Sequence, residues 1–79
     1  MELEEYTSLW HFQDEIRATV EACGYGIWRL RQRPFASVLK LELSSHLDQS
    51  EVEKLCGQFP LSASYEGEGE KGSLFFLYL

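Results

Sequence analysis

Three arginines at alternate positions, Arg29, Arg31 and Arg33, are separated by Leu30 and Gln32 and preceded by Trp28. A period of two is that of an extended strand, so the three guanidinium groups share one side of it. Guanidinium forks pair bidentately with carboxylates and phosphates, and Lys40 adds a further cation just after the turn that follows. Phe76 and Tyr78, also two apart, offer flat apolar surface beside whatever those cations hold. Carboxylates form the opposing set. Asp14, Glu15 and Glu21 fall on the outer side of a helical pattern, while Glu66, Glu68 and Glu70 alternate with Gly67 and Gly69. Regularly spaced carboxylates can imitate a phosphate backbone and occupy a basic channel on a partner. Trp10 lies in the same helical row as Asp14, Arg17 and Glu21, where a large aromatic ring can anchor an interface.

Catalytic chemistry has a weaker basis. His11 and His46 have no Ser, Cys or carboxylate at a spacing that suggests a triad or a metal site, and Asp14 and Asp48 are accounted for by a solvated face and a helix cap. The glycines sit at helix ends and in one turn, with no phosphate-cradling loop. The chain is therefore expected to be no enzyme, with no catalytic residues, no metal and no cofactor.

Composition narrows the classes further. The chain has 79 residues, enough for one modest core, and is expected to be a single domain over 1–79. With 44% hydrophobic and 25% charged residues it has the makings of a packed interior. No apolar run approaches the roughly 18 residues of a membrane span, and the acidic start lacks a signal peptide's positive flank. A cytoplasmic protein with no membrane partner is the expectation. Cys23 and Cys56 match no zinc or redox spacing and are read as reduced core residues, with a bridge as the alternative. Net charge is −6, divided as −5 over residues 1–26, +3 over 27–47 and −4 over 48–79. An acidic chain with one basic hairpin is a poor nonspecific nucleic-acid binder, because neutralising phosphates supplies most of that affinity.

Elements that would position these residues come in two similar halves. Leu9, Phe12, Ile16, Val20 and Cys23 form one stripe at 100° per residue, predicting a helix over 8–23 capped by Thr7 or Ser8 and ended by Gly24. Asp48 with Glu51 makes a capping box for a second helix. Leu47 staples to Val52, and Gly57 with Pro60 ends the helix. Each helix leads to a hairpin. In the first, Trp28 and Leu30 are expected on the buried side, and Leu39, Leu41 and Leu43 follow a Pro34-centred turn. In the second, Leu61 to Glu66 and Leu74 to Leu79 flank a mobile acidic tip from Glu66 to Gly72. The halves run over about 8–43 and 48–79.

The resulting order, αββαββ, predicts an α+β fold with a four-stranded antiparallel sheet, two helices on one face and an internal pseudo-twofold repeat. It resembles a ferredoxin-like βαββαβ chain with its first strand moved to the end. That resemblance implies that the second strand of each hairpin is central and that the sheet face opposite the helices is open. Such a face would carry Arg29, Arg31, Arg33, Lys40, Leu74, Phe76 and Tyr78. Basic residues beside sheet aromatics resemble the surface of RNA-recognition motifs, although Lys40 and Glu42 stand where that family's longer aromatic motif belongs.

Two binding functions follow. In size, acidity and α/β build the chain is similar to phage-borne inhibitors of the anti-CRISPR and anti-restriction kind, a similarity carried by Asp14, Glu15 and Glu21 with Glu66, Glu68 and Glu70. It implies a non-enzymatic inhibitor that occludes a nucleic-acid site on a protein partner. The alternative is a nucleic-acid or small-ligand binding module using the open face, or a homodimeric regulatory domain joined through it.

Overall fold

The computed structural model describes residues 11–32 and 37–78. Two helices, α1 (Gln13–Ala22) and α2 (Gln49–Cys56), alternate with two hairpins built from β1 (Ile27–Gln32), β2 (Val38–Leu43), β3 (Ser62–Glu68) and β4 (Ser73–Tyr78). The strands form one sheet in the order β1-β2-β4-β3, with every neighbouring pair antiparallel. This is the α+β arrangement expected from the repeat, and its strand order is that of a ferredoxin-like sheet after permutation. The most apolar strands, β2 and β4, are central.

Alternation along these strands divides the sheet into two faces. Leu39, Leu41 and Leu43 of β2, with Phe75 and Leu77 of β4, are fully buried beneath Ile16 and Val20 of α1 and Val52 and Leu55 of α2. Both helices therefore cover the same face. Each brings two buried residues one helical turn apart, which is what an amphipathic stripe presents to a flat sheet.

The helix ends show how local sequence sets local structure. At the start of α2, Asp48 accepts from the Glu51 amide at 2.8 Å while the Glu51 carboxylate accepts from the Asp48 amide at 3.1 Å, the reciprocal capping box expected there. The α1 helix begins later than predicted, at Gln13. Phe12 occupies the cap position with no acceptor side chain, and the first bond runs from the Ile16 amide to its carbonyl at 2.9 Å. Thr7, Ser8 and Leu9 lie outside the described residues, as do Trp10, Arg33, Pro34 and Leu79. Gly24 takes the left-handed conformation at φ 86°, ending α1 as predicted. Gly57 stays right-handed at φ −74°, so the two copies of the Cys-Gly signature end their helices differently.

Two expectations about the hairpins are corrected. Trp28 does not join Leu30 on the buried side: a β-bulge between Ile27 and Arg29 sets two residues of β1 against one of β2 and leaves the indole 52% exposed. The acidic tip is also shorter and better held than predicted. Strand β3 continues to Glu68 through a second bulge between Tyr65 and Gly67, so only residues 69–72 form the turn. Gly69 donates to the Gly72 carbonyl at 2.8 Å, and the Ser73 amide donates to that of Ser45 at 3.0 Å. At Gly72 a Cβ would lie 2.2 Å from the Leu43 carbonyl oxygen, so the chain approaches β2 too closely for any side chain.

Candidate functional site on the open sheet face

The cross-strand register assembles the open face in rows. Arg31 lies opposite Lys40, which lies opposite Phe76 and then Ser64; one row away, Arg29 lies opposite Glu42, Leu74 and Gly67. Val38, Tyr78 and Ser62 make the row on the other side. Directly opposed side chains in an antiparallel pair are close neighbours, so Arg31 and Lys40 form a like-charge pair, which is unfavourable without a counter-charge. None of Arg29, Arg31 and Lys40 has an acidic side chain within 4 Å among the described residues. With Glu42 they line a shallow depression of about 40 Å³.

Among the described residues Glu42 is the acid that lines this depression, and it is engaged elsewhere. Its Oε2 accepts the Lys71 amide at 2.9 Å, while the Lys71 ammonium lies 4.9 Å from the centre of the Trp28 ring. The bulge at Trp28 thus has a local role: it presents the indole to the 69–72 turn and the cation that the turn carries. These contacts tether the turn to the β1–β2 end of the sheet. They hold one Glu42 oxygen on the turn.

The structure places the other expected site residues in separate environments. Asp14, Glu15 and Glu21 are exposed on α1 and have no ion-pair partner among the described residues. Glu66 is the bulged residue of the edge strand β3, where it accepts from the Ser64 hydroxyl at 2.6 Å. Glu70 is exposed in the turn. Glu68 belongs to a hydrogen-bonded group instead of a free acidic edge. It pairs with His46 Nδ1 at 2.6 Å, accepts from Ser73 Oγ at 2.9 Å and also accepts from the Tyr65 hydroxyl. Burial pushes the Glu68 carboxyl up, but bonds from Tyr65, His46 and Ser73, with the charge of His46, outweigh it and hold the group below its usual value. On the basic face, Arg29, Arg31 and Lys40 are exposed, Phe76 is half-buried and Tyr78 is 39% exposed. Trp10 and Arg33 fall outside the described residues.

Sequence spacing did not reveal the group around Glu68, because His46 joins it from 22 residues away. A Ser, a His and a carboxylate in contact invite comparison with hydrolases. Their order differs: a triad needs the imidazole between carboxylate and hydroxyl, whereas here Glu68 stands between His46 and Ser73. Ser73 is fully buried, and its hydroxyl also accepts the Leu47 amide at 2.9 Å. Its chemistry is that of a clasp fastening β4 to the loop before α2.

A second concavity, a groove of about 330 Å³ between the end of α1 and α2, is lined by Cys23, Tyr25, Glu51, Lys54 and Leu55 among others. Tyr25 donates to Glu51 at 2.7 Å, and that bond, with desolvation and the nearby negative charge, raises the tyrosine pKa to about 12. The bond pairs two of the groove's polar groups with each other. Cys23 and Cys56 are both free thiols and half-buried, and burial raises the pKa of Cys56. No group of three or more metal-ligating side chains is found among the described residues, and no helix there is long and apolar enough to cross a membrane.

Comparison with known proteins adds no assignment: no family model matches, and neither the curated proteins nor the solved structures contain a match.

Proposed function

We propose that the chain is a non-enzymatic binding module whose recognition surface is the open sheet face, and that this face receives an anionic group of its partner. One observation carries the reading: Arg31 and Lys40 stand directly opposite each other, with Arg29 alongside and no acid in ion-pair reach of the three among the described residues. In a chain of net charge −6, a local concentration of cations on rigid central and edge strands is a surface feature that solubility does not require. Tyr78 and Val38 extend an apolar shelf beside it.

The occluding inhibitor remains the second reading, supported by Asp14, Glu15 and Glu21, which stand exposed on α1 with no cation paired to them among the described residues. Capture of partners by the immobilised protein from its native host separates the two readings. Arg31→Glu with Lys40→Glu is expected to abolish specific capture while Asp14→Lys with Glu21→Lys preserves it. The opposite pattern would assign function to the helix layer.

A further inference from the structure

We propose that Arg29, Arg31 and Lys40 form a site for a single phosphate group, presented as a phosphate monoester. The inference rests on the open-face reading and names its ligand. Three features point to it.

Geometry comes first. Arg29 and Arg31 project from one strand at a two-residue interval, and Lys40 meets them from the next strand at the level of Arg31. Three cations converge from two strands on a depression of about 40 Å³, which also has Glu42 on its wall. That space matches one tetrahedral oxyanion more nearly than it matches an extended ligand. Guanidinium groups supply paired donors to phosphate oxygens and the ammonium supplies a point charge, giving charge-assisted bonds to three sides of one group.

The second feature is the electrostatic state of the unliganded site. The Arg31–Lys40 pair is repulsive, and the acid on the depression's wall, Glu42, has one oxygen held by the Lys71 amide at 2.9 Å. An arriving dianion converts a like-charge contact into a shared one. Binding energy thus comes partly from relief of a repulsion already present in the free protein.

The third feature is the surrounding charge. Outside the β1–β2 hairpin the described residues are net acidic, −2 over 11–26 and −4 over 48–78, so a long polyanion extending beyond the depression gains no further cations from them and meets a net repulsion. A monoester keeps its charge at the cations and can direct its organic part toward Val38 and Tyr78 in the neighbouring row.

The test is a titration of the isotope-labelled full chain, followed by backbone amide shifts, with phenyl phosphate, inorganic phosphate and a twelve-nucleotide single-stranded RNA as separate ligands. Saturable shifts centred on β1 and β2 with phenyl phosphate are expected, with weaker binding of inorganic phosphate and no stronger binding of the RNA. Lys40→Gln and Arg31→Gln should each weaken phenyl phosphate binding about tenfold or more, the usual effect of losing one charge-assisted bond. Lys54→Gln, on α2, should leave it unchanged. Without ligand and at low salt, Lys40→Gln should unfold at the same or higher urea concentration than the parent, so lost binding cannot be ascribed to lost folding. No saturation by phenyl phosphate, equal weakening by Lys54→Gln, or tighter binding of RNA would each overturn the assignment. If phosphate fails but Arg31→Glu still abolishes partner capture, the open-face reading stands with a different anion. If phosphate binds and capture is unaffected, it is the open-face reading of capture that fails.

Discussion

Glu68 shows how one side chain can be drawn out of an apparent charge pattern. In the sequence it belongs to a run of alternating acids, but in the fold it is the acceptor for Tyr65, His46 and Ser73. Because its carboxyl pKa is lower in the folded protein than the ordinary 4.5, the unfolded chain takes up a proton first as pH falls. The sign follows: this contribution is complete above the ordinary carboxylate pKa and is lost as pH drops through the depressed one. Urea midpoints measured from about pH 6 down to about pH 3 should therefore fall for the parent, and Glu68→Gln should fall less over the same window. An equal decline in both would show that the clasp contributes nothing to acid sensitivity. The magnitude will be modest, since both His46 and Glu68 are substantially exposed and solvent screens the pair.

At the scale of elements, caps and close approaches decide where the chain turns. Asp48→Ala removes one half of the capping box and should cost about 1 kcal/mol, within the usual range of 0.5–2, as read by chemical denaturation. Gly72→Ala should cost more than about 1 kcal/mol, because its Cβ meets the backbone carbonyls of Leu43 and Ser45 and neither is a flexible side-chain end. A neutral Gly72→Ala would mean that the 69–72 turn is not seated against β2. These elements also mark what was legible in the sequence. Asp48, Glu51, Leu47 and Val52 announced α2 because box and staple are written within six residues, and Leu39, Leu41 and Leu43 announced a half-buried strand because alternation is local. Neither bulge was legible. Trp28 continued the alternating pattern of β1, and only pairing with β2 reveals that Ile27 and Arg29 oppose adjacent residues. The Glu68 clasp was hidden for a related reason: Tyr65 and Ser73 belong to the same hairpin, but His46 reaches Glu68 from 22 residues away, and only the folded register brings it there. The basic site was half legible: the shared side of Arg29 and Arg31 is periodicity, but the opposition of Arg31 to Lys40 is register.

For the whole molecule, the repeat raises the question of whether each half can stand alone. Leu41 and Leu77 occupy equivalent positions in the two halves, and both are fully buried in adjacent central strands. One cluster contains Ile16 and Leu30 from the first half with Leu55 and Phe75 from the second, so neither helix has a separate sheet to cover. Splitting the halves would expose the inner edges of β2 and β4 and open that cluster along its middle. The chain should therefore unfold as one cooperative unit. Burial of this kind makes Leu→Ala cost about 2–5 kcal/mol, against a total of about 5–15 kcal/mol for a domain. Leu41→Ala and Leu77→Ala should each lower the urea midpoint sharply while keeping a single transition. A two-step curve in either variant, with one hairpin's amides still protected from hydrogen exchange after the first step, would show the halves to be separable. In that case the open face would no longer be a rigid platform, because the register that sets Arg31 against Lys40 lies in one half while the Tyr78 shelf lies in the other.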